Sequence, residues 1–156
     1  SARALLSFLG AHHTLGDGAV WFGSPADPLL ALVPERGAKV TLVDPWMLRI
    51  ADVEAALGAR GYAEGVSVRV ELDIRDELLE SCRGRFVLTV EGGRGRVSRG
   101  GSGAVALDVR ALAALYTGFA SPGLLVRQGL VSGDEKALAA ASTAFAGPHP
   151  TMPDMF

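Results

Sequence analysis

Residues 66–74 alternate without a break. Val66, Val68, Val70 and Leu72 fall on one side, and Ser67, Arg69, Glu71 and Asp73 on the other. A period of two is strand geometry, so the segment predicts a sheet with one buried face and one wet face. Three shorter apolar runs, over residues 86–90, 95–98 and 104–107, predict further strands separated by glycine turns. Upstream, β-forming residues predict strands over 19–22, 39–43 and 46–50, the last two joined by a turn at Asp44-Pro45. Helical spacing marks residues 3–13, 52–60, 109–115, 123–128 and 134–145. A further helix start is expected at Ser24-Pro25, closed by Pro34. Together these predict an α+β domain, a meander of antiparallel strands with helices gathered on one face.

Residues 1–35 hold one expected strand and two brief helices, too little for an independent core. They read as the end of a preceding domain and a linker, with residues 36–156 as the main domain. The chain opens Ser1-Ala2-Arg3 and runs straight into a helical pattern, which gives the expectation of a piece beginning inside a longer protein.

Composition narrows the function. Apolar residues make up 49% and charged residues 21% of the 156, an ordinary globular balance. A net charge of −2, with arginines spread along the chain, argues against a nucleic-acid partner. No apolar stretch approaches the roughly 18 residues that span a bilayer, and no signal peptide opens the chain, so the expected location is the cytoplasm. Cys82 is the only cysteine, which excludes an internal disulfide and a cysteine-rich zinc site.

The candidate chemistry is sparse. The run from Gly92 to Gly101 invites a phosphate-binding reading, but it lies between expected strands, has no P-loop lysine and leads into no helix. Two glycine-rich hairpin turns around a short polar strand explain it better. His12, His13 and His149 are too few and too scattered for a metal site. Glu71, Asp73, Asp76, Glu77 and Glu80 read as a solvated acidic face, and Trp21 and Trp46 as packing residues on strands. Ser7, Ser24 and Ser121 lack a nucleophile-elbow setting. The last residues, His149 to Phe156, combine low charge with two methionines, a phenylalanine and stiffening prolines. Such a tail is expected to dock on protein and carry its α-carboxylate to a fixed place.

Two stretches carry a family resemblance. Trp46-Met47-Leu48-Arg49-Ile50-Ala51-Asp52-Val53-Glu54-Ala55-Ala56-Leu57, followed by Arg60-Gly61-Tyr62, is the first. Asp108-Val109-Arg110-Ala111-Leu112-Ala113-Ala114-Leu115-Tyr116-Thr117-Gly118-Phe119 is the second, continued by the 124–130 helix and the end Pro153-Asp154-Met155-Phe156. Over residues 35–156 they resemble the C-terminal, sterol-carrier-like domain of the enhanced intracellular survival (Eis) family of GNAT-superfamily N-acetyltransferases.

The resemblance implies a sterol-carrier-protein-like antiparallel sheet of about five strands with helices on one face. It also implies a cytoplasmic, hexameric parent with two upstream acetyltransferase-type domains, the first binding acetyl-CoA. Such enzymes acetylate primary amines, aminoglycoside-like or lysine-like. By position, the terminal carboxylate of Phe156 becomes the general base, with Asp154 and Met155 beside the substrate. Some relatives place an acidic residue where this chain has Met155. The family's acidic tyrosine and acetyl-CoA loop belong to the first domain and have no counterpart here, so this stretch alone is expected to be inactive and to hold neither cofactor nor metal. The rival expectation is a lipid- or sterol-binding carrier module, with an apolar tunnel between sheet and helices; a third is a purely structural oligomerisation domain.

Overall fold

The computed structural model describes residues 1–24, 26–34, 37–41 and 46–152. Two compact units divide the chain: Met47–Pro148, and Ser1–Trp46 together with His149–Phe156.

In the first-named unit, helix α2 (Val53–Ala59) precedes β1 (Val68–Arg75), β2 (Gly84–Glu91), β3 (Arg94–Arg99) and β4 (Val105–Asp108). Helices α3 (Val109–Thr117) and α4 (Pro122–Arg127), strand β5 (Val131–Gly133) and α5 (Glu135–Phe145) complete it. The helix starts are written in the sequence. Asp52, Asp108, Ser121 and Asp134 each cap the helix that follows by accepting a backbone N–H, from Ala55, Ala111, Leu124 and Ala137 respectively. The strands form one sheet in the order β3-β2-β1-β4-β5.

Register puts the apolar positions on one face. Val70 pairs with Leu88, Leu72 with Phe86 and with Val105, and Ile74 with Leu107. These side chains are buried in a single cluster with Val53 and Leu57 of α2, Leu112 and Leu115 of α3, Leu125 of α4 and Phe145 of α5. The α+β class with five strands and helices on the apolar face is therefore as expected. The strand order is not a simple meander. β1 and β2, β2 and β3, and β4 and β5 pair antiparallel, but β1 and β4 pair parallel.

The parallel pair explains the glycine run. Gly92 and Gly93, with φ of 53° and 75°, form the two-residue hairpin turn between β2 and β3 that the dipeptide predicts. Gly100 to Gly103 do not form a second hairpin. Arg99 pairs with Phe86, Phe86 with Leu72 and Leu72 with Val105, so the chain leaves β3 and enters β4 at the same level of the sheet. It must cross β2 and β1, three strand spacings of about 4.8 Å each. The five residues 100–104 can cover that distance, since a fully extended residue spans about 3.3–3.6 Å.

The crossing lies against the polar face. A Cβ on Gly101 would stand 2.7 Å from Val87 Cγ2, and one on Gly103 would stand 2.9 Å from Asp73 Cβ. Both glycines also have positive φ, 89° and 72°. The crossing thus shields Val87, the one buried apolar residue on that side of β2.

The expected strand over 46–50 is not formed. Ile50 is buried in the core, yet the segment joins no ladder; its backbone is held by Cys82, whose buried Sγ–H donates to the Ala51 carbonyl at 3.1 Å. A β-forming composition was satisfied here by side-chain anchoring instead of pairing. The expected strand over 39–43 is absent at residues 39–41, and 42–45, with the Asp44-Pro45 turn, lie outside the described residues.

In the other unit, α1 (Ala2–Ala11) matches the expected first helix. Residues 19–22 form no strand, and the helix expected after Pro25 is a single 3-10 turn at Leu30–Leu32. Neither tryptophan lies on a strand; Trp21 Nε1 donates to Asp27 Oδ2 at 3.2 Å.

The crossing makes Gly101→Ala and Gly103→Ala destabilising by about 1–3 kcal/mol each, through positive φ and steric conflict. Gly58→Ala, inside α2 with open space around its Cα, should stabilise by about 0.5–1 kcal/mol. Urea denaturation of the three variants checks both signs.

Candidate functional site

The residues expected to carry chemistry, Asp154, Met155 and Phe156, lie outside the described residues. The structure describes the ground from which they depart, the end of α5 and the groups that hold it.

Arg60 is the centre of that ground. It closes α2, and its guanidinium Nε donates to the Tyr116 carbonyl at 2.9 Å, in the last turn of α3. Nη1 donates to the Ala144 carbonyl and Nη2 to the Phe145 carbonyl, each at 3.3 Å, at the end of α5. Nη1 also reaches the Gly61 carbonyl at 3.1 Å. Helix C-termini present unsatisfied carbonyls and partial negative charge, and here three of them meet one planar cation with five donors. The guanidinium also lies 4.9 Å from the centre of the Tyr62 ring and 5.5 Å from that of Phe145.

Tyr62 completes the arrangement. Its hydroxyl donates to the Leu57 carbonyl at 2.7 Å, and its ring lies where a Cβ on Gly95 would be, 2.6 Å away. Burial pushes its phenol up to about 12, against the opposing pull of Arg60. It is a neutral hydrogen-bond donor at physiological pH.

Beyond α5 the chain turns extended at Ala146. It passes over Gly118, the left-handed residue that ends α3, where an added Cβ would meet the Pro148 carbonyl at 3.1 Å. A depression of about 120 Å³, lined by Gly118, Ser121, Pro122, Ser142 and Phe145 among others, sits beside this path.

Asp76 was expected on a solvated acidic face and is instead buried at 5% exposure. It closes the end of β1: Oδ1 accepts from the backbone N–H of Leu78 at 2.9 Å and of Leu79 at 3.1 Å, and Arg49 Nη2 contacts both carboxylate oxygens. The Leu78 bond foremost, then those of Leu79 and Arg49, hold its carboxyl below the usual range despite burial. This pair fixes the incoming segment to the sheet. The Asp-x-Leu-Leu turn after an alternating strand was the available signal for it.

Two more members of the acidic stretch, Glu71 and Asp73, have partners, while Glu77 and Glu80 are exposed as expected of a solvated face. Glu71 accepts from the Ser102 hydroxyl at 2.6 Å and its N–H at 2.5 Å, and from Arg69 Nε at 2.9 Å, which pins the crossing loop. The two Ser102 bonds, then Arg69, bring its carboxyl from 4.5 down to about 2. Asp73 faces Arg85 at 3.6 Å. A shallow cleft of about 160 Å³ on the same polar face is lined by Thr89, Glu91, Arg94 and Arg96.

Neither depression is an apolar tunnel. Between sheet and helices the space is filled by Leu57, Leu72, Phe86, Leu88, Leu107, Leu112 and Leu115, all fully buried. The glycine run is a hairpin and a strand crossing, so the residues present do not form a phosphate cradle for acetyl-CoA. Among the described residues no metal-binding cluster occurs, and no helix is long and apolar enough to cross a membrane. His12 and His13 are exposed and bond through Nδ1 to the Phe8 and Gly10 carbonyls of their own helix.

The one-faced sheet, with its helix-to-strand order, defines a sterol-carrier-type domain. Residues 53–153 match the sterol carrier protein domain, and the chain belongs to that family. Its form is the one expected from the Eis resemblance, since the solved structures it resembles include GCN5-related N-acetyltransferases and an Eis protein. A GCN5-related N-acetyltransferase from Anabaena variabilis is 42% identical over 86% of this chain and 34% of its own, with a TM-score of 0.81. One from Kribbella flavida is 35% identical over 99% of this chain and 40% of its own, with a TM-score of 0.83. Eis1 from Mycobacterium abscessus is 34% identical over 67% of this chain and 26% of its own, with a TM-score of 0.55. The chain thus spans well under half the length of these relatives. No curated protein matches it.

Glu71 and Asp76 have lowered values in the folded state, so their stabilisation is complete above the unfolded carboxyl range, about 4. It is lost as pH falls through the folded values, for Glu71 toward about 2. Glu71→Gln and Asp76→Asn should therefore lower stability at pH 7, with deficits that shrink between about pH 4.5 and 2. Urea titrations across that range check this; deficits independent of pH would contradict the electrostatic assignment.

Proposed function

We propose that this chain is the C-terminal, sterol-carrier-like part of an acetyl-CoA-dependent N-acetyltransferase acting on primary amines, aminoglycoside-like or lysine-like. The observation that carries the reading is the match over 99% of the chain to 40% of a GCN5-related N-acetyltransferase. The filled interior also favours it over a lipid or sterol carrier. In this reading residues 1–35 are the end of the preceding acetyltransferase domain, and acetyl-CoA is held entirely upstream. In this reading the enzyme works in the cytoplasm, where acetyl-CoA is available, and assembles as a homo-oligomer, a hexamer.

The part this chain plays is acid–base and steric. An α-carboxylate has a reference pKa of about 3.3–3.7, so the carboxylate of Phe156 is ionised at neutral pH. It attracts a protonated amine and accepts its proton, directly or through one water. Asp154 adds a second negative charge for a polycationic substrate. Met155 supplies an apolar stretch of pocket wall where some relatives carry an acid, which weakens the pull on a second ammonium.

Two measurements test the proposal. The isolated chain should show no acetyl-CoA turnover, and native mass spectrometry should find it free of lipid; a stoichiometric lipid would favour the carrier reading. With the upstream domains present and Phe156 verified as the terminus by intact mass, adding residues after it should lower kcat by about 10²–10⁴-fold without unfolding the protein. An unchanged kcat removes the carboxylate from the mechanism.

A further inference from the structure

We propose that the polar face of the sheet carries a binding site for the phosphate group of a small phosphate monoester, built around Thr89, with Arg94 and Arg96 of β3 holding the anion and Arg69 of β1 on its far side.

The register assembles the site. Arg96 pairs with Thr89 and Thr89 with Arg69, so an exposed hydroxyl stands between two arginines in one row across three strands. The two arginines are two strand spacings apart, about 10 Å. Arg94 lies two residues before Arg96 on the same face, opposite Glu91. Thr89, Glu91, Arg94 and Arg96 line the cleft of about 160 Å³ on this face. That is the volume of about five waters, enough for one tetrahedral oxyanion.

The donors there are unspent. Arg85 and Arg99 have carboxylate partners, Asp73 and Glu54. Among the described residues the side chains of Arg94 and Arg96 have no hydrogen-bond or ion-pair partner, although Glu91 stands opposite Arg94. Arg69 is held differently: Glu71 takes its Nε at 2.9 Å and is itself tied to Ser102. That anchoring orients the guanidinium and leaves both Nη groups without a described acceptor.

The chemistry suits a phosphate. Planar guanidinium forks match its oxygens two at a time, and two forks with a hydroxyl can hold it without a backbone loop. The glycine run lacks the helix N-terminus of a phosphate loop, yet two of its arginines offer anion-binding donors through their side chains. Three guanidinium groups face two carboxylates, so the site favours an anion over the ammonium groups of an amine substrate. The inference therefore stands apart from the acetyltransferase reading. Arginines on an edge strand also discourage pairing with another sheet. That duty needs neither the cleft nor Thr89, and it predicts no ligand.

The test titrates the 156-residue chain with methyl phosphate and with inorganic phosphate at about pH 7.5, where a monoester is mostly a dianion. Ionic strength is held constant with sodium chloride, and backbone amides are followed by NMR. Both probes should give saturable one-to-one shifts centred on Thr89, Glu91, Arg94 and Arg96. Arg94→Gln and Arg96→Gln should each weaken binding at least about fivefold. Glu91→Gln removes the opposing carboxylate and should tighten it about two- to threefold. Arg85→Gln takes the same charge from the same face outside the cleft and should change affinity by less than about twofold. All four side chains are exposed, so the variants fold, which an unchanged Tm verifies. Shifts that rise linearly and equal those of chloride overturn the inference, as does an equal loss in Arg85→Gln. Binding of a long polyphosphate with none of methyl phosphate overturns it too, since that marks a diffuse basic surface.

Discussion

A sheet that buries one face forces every helix to the same side, and helices crowded together bring their ends together. In the Met47–Pro148 unit the C-termini of α2, α3 and α5 converge. The ends of α3 and α5 bring partly buried carbonyls that have no helical partner. A second aliphatic layer cannot satisfy them, nor can a point charge reach all three ends. The guanidinium of Arg60 can, because its donors are planar and spread over two helices and a turn. The rings of Tyr62 and Phe145 add cation–π contact to the same group.

The opposite face obeys a different constraint. Its residues are charged and wet, yet the parallel placement of β4 beside β1 demands that the chain cross it. A crossing with side chains would stand off the sheet. Glycine lets it lie flat on Val87 and Asp73, and Glu71 ties it down through Ser102. What resembled a phosphate loop in composition is thus a belt over a sheet.

The same contrast sets what was legible in the sequence. β1 was readable because its alternation is long, and the helices because their apolar spacing is helical; the Asp and Ser residues that cap four of them stand in the sequence as further signals. β5 was not readable: three residues, Val131–Gly133, carry no period. The run from Trp46 to Ile50 has a strand's composition, but pairing depends on a free sheet edge, which local pattern does not encode. Asp76 looked like one carboxylate among five; the turn it closes had a local signal in Asp-x-Leu-Leu, but its pairing with Arg49, 27 residues away, did not. Arg60 stood out in the family resemblance without a reason, and the reason is long-range, its acceptors lying 56, 84 and 85 residues away.

Cys82 adds a practical consequence. Its sulfur is wholly shielded and engaged with the carbonyls that follow Arg49, so a thiol reagent reaches it only when the strap entering α2 lifts or the core opens. As the sole thiol of the chain, it makes the rate of alkylation a clock for that opening, readable in the intact protein without a label or an added probe.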